Sequence, residues 1–566
     1  MKRKKMTKEE RVHRLEQKSF FRKIYQTFTY AGFAYVKTNG VHFTLGGRDI
    51  EIDAAYVYEN IVLLCEDTIE KAGGSDHVLK KEEAGSVIEA HKHDFLVWFG
   101  QLSPDARACC HNYKESRIRI FNLYFSKYHA TWSDDEHIRY SHLKLVSSRE
   151  LDYFKWMSQS IRRSSRYEIY KYLGLETKDV GTFRGSTEST TIETPIVYPS
   201  EFVGGDENIR VVSFMMAPGD LLRMAYVMRK DGWRSSGDVY QRLVDKTKIK
   251  KIREYLCKTR ATFYNNIIVA LPDSVKVVDA NGDSKNIFKV MEPSDGMKLS
   301  ITKELNSIGI IDGQHRVYAY YEGGIRDAEV EQLREQLRLL VTGIAFPSSM
   351  KKLGRQKIQS SIFLDINENA KPVNSALMLH IKRMQNPFAD TSIAQDVIER
   401  MNSNGVFKDH FQESMLSKKG IPTASVIKFA LRYLVSLSPS DGKGSFISHW
   451  DGDVEGLTQR HDNAAKDAYV KYCAECLSKY FAGIKAALGT KWDWEGTNTL
   501  LPSVVTINGF LIAYGKRLLE DKPREVDYYK NKFKNLTMSF SRANFKYRSS
   551  QYHKFAAEIL EKVWGR

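Results

Sequence analysis

Cysteine is scarce in this chain of 566 residues. It has six cysteines, of which only Cys109 and Cys110 are adjacent. That spacing excludes the dense disulfide framework of small secreted domains and favours a reducing compartment. Cys473 and Cys476 form a lone CxxC pair in a stretch with helical periodicity. Because a second pair and a nearby set of histidine ligands are missing, we interpret the pair as buried helix positions rather than as a zinc site.

Long apolar runs are also missing. No run approaches the roughly 18 residues that span a bilayer, so the sequence predicts no membrane partner. The chain starts with a methionine and four basic residues, but the apolar segment of a secretory signal does not follow them. We therefore expect a cytoplasmic location.

Known sequence patterns for binding nucleotides and RNA are absent as well. The phosphate-binding pattern G-x-x-x-x-G-K-[ST] does not occur, which disfavours a conventional P-loop ATPase. No signature of an RNA-binding module is visible, so an RNA-binding protein is the weaker of the nucleic-acid hypotheses. Internal repeats and long low-complexity tracts are not seen.

Positive charge is present in excess. The 86 Lys and Arg residues outnumber the 69 Asp and Glu residues and give a net charge of +17, which favours polyanionic partners and DNA first. Residues 516–566 hold 13 Lys and Arg against 6 Asp and Glu, with aromatic residues between them. A nucleic-acid-binding surface has this pattern, because cationic side chains contact phosphates and aromatic rings stack on bases. A helical region whose aromatic side chains are buried in the core has the same pattern. The candidate DNA-binding residues are Lys530, Lys532, Lys534, Arg542, Lys546 and Arg548.

The elements predict an α/β (α+β) multidomain protein with three regions. The first, residues 1–180, has a basic N-terminal arm and alternates helices with short strands. A segment rich in Thr, Ser and Gly at 177–194 separates it from a mixed α/β region at 195–375. The third region, 376–566, is predicted to be mostly helical and basic.

The densest chemistry lies at residues 308–316. A short apolar run, Ile308–Ile311, ends in Asp312-Gly313-Gln314-His315-Arg316, after which a helical pattern begins. A strand that turns into a helix exposes free backbone N–H groups, where anions bind. Asp312, Gln314, His315 and Arg316 are therefore candidate catalytic residues around a phosphate. The alternative is a capped helix whose arginine pairs with a nearby carboxylate.

This pentapeptide resembles the signature of DGQHR-domain proteins, the group that contains the DNA sulfur modification DndB family and is distantly similar to the ParB/sulfiredoxin fold. Two flanking elements resemble the same family in the same order: residues 240–269, which start with Tyr-Gln-Arg, and residues 363–373. The resemblance implies a DNA-linked role in prokaryotic DNA modification or anti-phage defence. It also implies binding or hydrolysis of ATP or another nucleoside triphosphate in the pocket of the motif. The candidate nucleotide- and phosphate-binding residues are Gln241, Arg242, Gly313, Arg316, Asn367 and Lys371.

Two polar residues of the downstream element have a second interpretation. Asp365 and Asn367 are candidates to hold Mg²⁺ or a sugar hydroxyl. Asn367 is equally well explained as the cap of a turn before Pro372.

An acidic cluster marks a second candidate site. Asp49, Glu51 and Asp53 are spaced by two in a predicted strand from Arg48 to Tyr58, which places them on one face. Glu66 ends the next predicted strand. One carboxylate on each of two neighbouring strands can hold a divalent ion against a phosphodiester, so Asp53 and Glu66 are candidate metal ligands and catalytic residues for Mg²⁺.

This arrangement resembles the PD-(D/E)XK restriction-endonuclease-like superfamily, with Asp53 as the first acid and Glu66 as the second. The family pattern has a lysine two residues after the second acid, where this chain has Thr68. Lys71, Lys80 and Lys81 are candidates to replace it. An active nuclease, an inactive nuclease-like DNA-binding domain and a coincidental acidic strand all remain open.

Two functional hypotheses follow from these patterns. The first is an enzyme, either a nucleotide hydrolase or a Mg²⁺-dependent DNA endonuclease, that belongs to a DNA-modification or defence system. The second is a non-catalytic DNA-binding transcriptional regulator similar to DndB. In both, the expected partners are duplex DNA, modified or unmodified, and other proteins of the same operon, and a homo-oligomer is left open.

Overall fold

The computed structural model describes most of the chain. The described residues are 7–70, 75–129, 132–181, 189–193, 195–199, 209–228, 243–279, 281–290, 297–368, 375–412, 420–459, 462–494, 499–548 and 550–565. The chain divides into two compact units, Met1–Ile366 and Asn367–Arg566. Several sheets and a helical C-terminal part confirm the α/β (α+β) multidomain class. The predicted subdivision of the first unit near residues 180–195 stays a prediction.

The first unit begins with a helix and a mixed sheet. Its strands up to residue 146 are β1 (Ala34–Val36), β2 (His42–Leu45), β3 (Arg48–Glu51), β4 (Ala54–Tyr58), β5 (Ile61–Thr68), β6 (Arg119–Ser126) and β7 (Lys144–Val146). The helices of the same part are α1 (Lys8–Tyr30), α2 (Ser75–Ala90), α3 (Lys92–Phe99), α4 (Pro104–Asn112), α5 (Asp134–Arg139), α6 (Ser148–Ile161) and α7 (Arg166–Leu173). The five-stranded sheet has the order β1-β4-β5-β6-β7. Its first three strands are antiparallel, whereas β5, β6 and β7 run parallel.

The order of the strands follows from their connections. A tight turn at Glu59-Asn60 joins the antiparallel strands β4 and β5. Parallel strands need a long crossover, and the chain from α2 to α4 supplies it between β5 and β6. Helix α1 starts with a capping box between Thr7 and Glu10 and buries Phe20, Ile24 and Phe28, which are spaced by four. These side chains belong to the core over the sheet.

One predicted strand is wrong. The sequence predicted a single strand from Arg48 to Tyr58 with Asp49, Glu51 and Asp53 on one face. The structure breaks it at residues 52–53, because β3 pairs only with β2 while β4 enters the five-stranded sheet. Asp49 contacts His42 at 2.9 Å, and a Glu51 carboxylate oxygen accepts the Gly40 N–H at 2.8 Å. Asp53 is therefore separated from the other two acids.

The rest of the first unit contains two sheets. Its strands are β8 (Ser189–Ile192), β9 (Ile196–Tyr198), β10 (Arg210–Met216), β11 (Ala225–Tyr226), β12 (Ile267–Ala270), β13 (Lys276–Val278), β14 (Ser284–Asn286), β15 (Lys298–Thr302), β16 (Ile308–Asp312) and β17 (Leu339–Ala345). Its helices are α8 (Pro218–Met224), α9 (Lys246–Thr259), α10 (Gln314–Tyr318), α11 (Asp327–Gln336) and α12 (Lys352–Glu368). A six-stranded sheet has the order β11-β16-β12-β17-β10-β9 and a four-stranded sheet the order β14-β13-β15-β8. One continuous core includes side chains from Phe20 to Ala345, so the N-terminal sheet and the central sheets share buried surface.

The second unit is mostly helical, as predicted. Its helices are α13 (Ser375–Gln385), α14 (Asp390–Ser403), α15 (Thr423–Val426), α16 (Arg432–Leu434), α17 (Val454–Thr458), α18 (Asn463–Leu488), α19 (Val504–Arg517), α20 (Val526–Phe533) and α21 (Tyr552–Trp564). A π-helical segment, Ile427–Leu431, joins α15 to α16. Two short parallel strands, β18 (Phe411–Gln412) and β19 (Ile421–Pro422), complete its described structure.

The cysteines and the C-terminal aromatic residues are mostly core residues. All six cysteines are free thiols, and Cys473 and Cys476 are buried in α18, which confirms their interpretation as helix positions. Six of the nine aromatic residues in 516–566 are buried: Tyr529, Phe533, Phe540, Phe545, Tyr552 and Phe555. The core interpretation therefore describes most of these rings. Among the described residues, no helix combines the length and the apolar character needed to cross a bilayer.

Candidate functional site

The DGQHR motif forms a turn between a strand and a short helix. Strand β16 ends at Asp312, and α10 begins at Gln314. Between them Gly313 has φ of +93°, a left-handed conformation that side chains rarely adopt. A Cβ atom on Gly313 would lie 2.6 Å from Ile267 Cδ1, so the position also lacks space. The predicted change from strand to helix at Asp-Gly is confirmed.

The polar side chains of the motif divide into a surface pair and a buried pair. Arg316 Nη2 donates to Asp312 Oδ2 at 2.9 Å, and both side chains are partly exposed. Gln314 and His315 are buried. The backbone N–H of Asp245 donates to His315 Nε2 at 2.9 Å, so the ring acts as an acceptor at that nitrogen. The alternative taken from the sequence, an arginine that pairs with a nearby carboxylate, describes the contact of Arg316.

Two buried arginines that the sequence analysis did not single out hold the chain after the motif. Arg253 donates to the carbonyl oxygens of Ala319 at 3.1 Å and Tyr321 at 2.7 Å. Arg334 donates to the carbonyl oxygens of Tyr320 and Tyr321, both at 3.0 Å. Arg253 lies on the same face of α9 as the buried Ile249 and Leu256, and an arginine at an apolar position of an amphipathic helix was the available signal.

Most of the flanking candidates fall outside the described residues. Gln241, Arg242 and Lys371 lie there, and Asn367 is described only as part of the backbone of α12. Asp365 is exposed in the same helix. The assignment of these residues to a phosphate pocket stays a prediction.

The acidic site around Asp53 and Glu66 lies within the described residues. The register of β4 and β5 pairs Ala54 with Cys65, so the next residues outward, Asp53 and Glu66, face each other. The backbone N–H of Asp67 donates to Asp53 Oδ2 at 2.9 Å. Lys81 Nζ lies 2.5 Å from Glu66 Oε2, and both side chains are almost completely buried. Lys81 also donates to the carbonyl oxygen of Glu51 at 3.1 Å.

Burial and the repulsion between neighbouring carboxylates raise the pKa values of Glu66 and Asp67. Burial raises the pKa of Glu66 well above its usual value, the carboxylate of Asp53 raises it further, and Lys81 opposes both. Burial together with Asp53 raises the pKa of Asp67 to about 7, again against Lys81. The three carboxylates therefore share a site where additional positive charge would be stabilising.

Helix α2 supplies a positive charge where the predicted family pattern has its lysine. Thr68 occupies the sequence position of that lysine, two residues after Glu66. Of the three alternatives named from the sequence, Lys81 reaches Glu66, Lys80 on the same helix is exposed, and Lys71 lies outside the described residues. His77 Nδ1, one turn earlier in α2, lies 2.9 Å from the Tyr124 hydroxyl. Burial and Lys81 lower the pKa of His77.

The capacity of this site for metal binding rests on two carboxylates. Within the described ranges, no group of three or more His, Cys, Asp or Glu side chains is arranged to hold a metal ion. Asp53 and Glu66 supply hard oxygen donors, which suit Mg²⁺ or Mn²⁺ when water and phosphate oxygens complete the coordination. The mutual repulsion of the carboxylates fits a cation between them.

The basic C-terminal candidates form a third set. Lys530 and Lys532 lie on α20, Lys534 follows it, and all six candidates are exposed. Lys546 Nζ pairs with Glu558 at 2.9 Å, so its charge is partly neutralised.

Comparison with known proteins links part of the chain to a known family. Residues 204–445 match the model of the DndB family, described as DNA-sulfur modification-associated. The matched segment contains the DGQHR turn and both flanking elements, and it confirms the DndB-like part of the resemblance. It does not reach Asp53, Glu66 or the basic C-terminal candidates. Searches of curated proteins and of solved structures find no match.

Proposed function

We propose that this protein is a DNA-binding component of a prokaryotic DNA-modification or anti-phage defence system and that its N-terminal sheet cleaves DNA phosphodiester bonds. The DndB match supports the link to DNA modification. The observation that carries the cleavage proposal is the contact of Lys81 with Glu66, which adds a lysine to the two acids although Thr68 stands in the expected position.

The residues of the N-terminal site have separate roles in this proposal. Asp53 and Glu66 would hold a divalent ion, which when bound would polarise the phosphodiester and lower the pKa of an attacking water. Lys81 orients Glu66 and stabilises negative charge on the phosphate during attack. Lys81 donates a hydrogen bond to the Glu51 carbonyl oxygen and forms an ion pair with the Glu66 carboxylate, so its side chain is held in place before DNA binds.

The test is nicking of supercoiled plasmid, modified and unmodified, by the full chain with Mg²⁺ or Mn²⁺. We expect Asp53→Asn to abolish nicking and Lys81→Ala to reduce it by roughly 10²-fold, the usual effect of removing one charge-stabilising group. Lys80→Ala is the matched control, because Lys80 is exposed on the same helix, and it should nick like the wild type. Equal nicking by the wild type and Asp53→Asn would exclude this site.

A second readout separates ion binding from cleavage. A ligand that binds only the folded state raises the melting temperature. Mg²⁺ or Mn²⁺ should therefore stabilise the wild type and have little effect on Asp53→Asn. A shift of the same size in both proteins would mean that the ion binds elsewhere.

The second candidate function belongs to the DGQHR turn: a nucleotide hydrolase, or a DndB-like transcriptional regulator that binds DNA without turnover. The partly exposed Asp312–Arg316 pair at the end of β16 favours it, because a phosphate can compete with Asp312 for the guanidinium. Release of phosphate from ATP, GTP and CTP, with and without DNA, distinguishes hydrolase from regulator. Arg316→Ala should abolish binding of nucleotide or DNA at this turn, and unchanged binding of both would refute the assignment.

A further inference from the structure

A large cavity in the first unit lies away from both candidate sites. It has a volume of about 1080 Å³, close to the upper end of the range for small-molecule pockets. Its walls come from the Tyr58-Glu59 turn of the N-terminal sheet, from the Arg163–Tyr170 segment, from Arg223 in α8 and from Glu322 after the DGQHR helix. We call it the Glu322 cleft. Asp53, Glu66 and Arg316 do not line it.

Glu322 is the centre of a polar network in this cleft. Its carboxylate accepts hydrogen bonds from Arg166 Nη2 at 3.0 Å and from the Tyr167 hydroxyl at 3.2 Å. Arg166 is nearly buried, and its guanidinium also stacks over the Tyr58 ring at 4.0 Å. The carbonyl oxygen of Glu322 accepts a hydrogen bond from the Arg163 backbone N–H at 3.0 Å, and the Glu322 N–H donates to Ser164 Oγ at 2.9 Å. Glu322 and Arg166 are therefore fixed parts of the wall.

Two further arginines lie on the wall, which also includes the carboxylates of Glu331 and Glu335. Arg223 Nε lies 3.7 Å from Glu322, beyond hydrogen-bond distance, and its side chain is 64% exposed. Arg163 also lines the cleft and is exposed. Arg163 and Arg223 thus present guanidinium groups that are open to solvent. Guanidinium groups in this arrangement bind phosphate oxygens.

A buried hydroxyl beside the cleft is a candidate contact for a ligand. Tyr170 is 2% exposed, its ring lines the cleft, and its hydroxyl has no hydrogen-bond partner among the described residues. Buried hydroxyls are almost always bonded, so an unpaired one requires an explanation. An oxygen atom of a ligand in the cleft would be the missing partner.

Carboxylates line other parts of the same cavity. Asp327 is held by Arg253 and Arg334, and Asp220 faces Lys303 at 3.5 Å. Glu59 is exposed at the turn between β4 and β5. A carboxylate accepts hydrogen bonds from amino groups such as those on the edge of a base. The cleft thus combines phosphate donors with acceptors for a base.

We propose that the Glu322 cleft binds a nucleotide, with its phosphate on Arg163 and Arg223, an oxygen on the Tyr170 hydroxyl, and its base near the carboxylates of Asp220 and Glu59. This site is separate from the DGQHR turn and does not depend on phosphodiester cleavage. It touches both the chain that follows Arg316 and the turn that joins the strands of the acidic site.

The test measures binding of fluorescent analogues of ATP, GTP, CTP and UTP to the full chain by anisotropy. We expect at least one of them to bind, and we expect Arg223→Ala to weaken it by roughly tenfold or more, since one charged contact is lost. Tyr170→Phe should weaken binding by several-fold while the melting temperature stays the same or rises, because only the unpaired hydroxyl is removed. A structural role for Tyr170 would not give this combination.

Two controls separate this cleft from other sites. Arg326→Ala removes an exposed arginine that pairs with Glu329 outside the cleft, and it should leave binding unchanged. A loss of binding in Arg316→Ala but not in Arg223→Ala would place the nucleotide at the DGQHR turn and refute the proposal. Absence of binding for all four nucleotides, or equally good competition by pyrophosphate, would refute it too.

Discussion

At the scale of single residues, Gly313 imposes the strictest local requirement in the described motif. The turn needs a left-handed backbone there, and Ile267 leaves no room for a side chain. Gly282 has a similar φ of +87° but open space around it. Substitutions at Gly313 and Gly282 therefore separate the loss of stability caused by backbone strain from the loss caused by steric crowding.

We predict that Gly313→Ala destabilises the first unit clearly more than Gly282→Ala. The second change should cost about 1–2 kcal/mol, the usual penalty of a left-handed backbone for a residue with a Cβ. The first adds the overlap with Ile267 to that penalty. Urea unfolding of both variants measures the difference, and equal losses would show that the chain relaxes around Ile267.

The raised pKa of Asp67 predicts a pH dependence. Burial and Asp53 raise the pKa of this carboxyl from 3.8 to about 7, so the folded state binds more protons than the unfolded state between these values. Stability from this group is present at low pH and is lost as the pH rises from about 4 to about 7. Asp67→Asn should therefore flatten the stability profile over that window. Asp135→Asn, at an exposed carboxylate, is the control and should leave the profile unchanged.

At the scale of elements, the sequence predicted features that depend on local backbone patterns better than features that depend on packing between elements. The β16 strand and its turn could be predicted because Asp-Gly after an apolar run restricts the backbone locally. The break at residues 52–53 could not, because Asp53 continues the two-residue spacing of Asp49 and Glu51. Lys81 was only one of three alternatives, because the face that α2 turns toward β5 depends on packing.

Helix α20 and the chain after it carry a prediction about DNA. Lys530, Lys532 and Lys534 are exposed, while Phe533, the one ring between them, is buried, so the interaction should depend on charge rather than on stacking. Replacing all three by alanine should weaken DNA binding and reduce the slope of log K against log salt by about 0.9 for each lost phosphate contact. Anisotropy titrations at several salt concentrations measure this. Alanine at Lys408, Lys471 and Lys485, which are also exposed, is the charge-matched control.

At the scale of the whole molecule, the family match and the compact units divide the chain differently. The matched segment starts at residue 204 and ends at 445, whereas the first unit ends at Ile366. Within that unit, Trp156 Nε1 donates to the Val244 carbonyl at 3.0 Å and Asn306 Nδ2 to the Tyr167 carbonyl at 3.3 Å. These bonds cross the predicted boundary at 180–195, as the shared core does.

We therefore predict that residues 195–366 do not fold without residues 1–180. The isolated segment would expose apolar side chains that belong to the continuous core, and buried groups such as the Arg166–Glu322 pair would lose a partner. Residues 1–366 should unfold in one cooperative transition, followed by calorimetry and near-UV circular dichroism. A soluble 195–366 fragment with a cooperative transition of its own would instead support an independent domain boundary at 180–195.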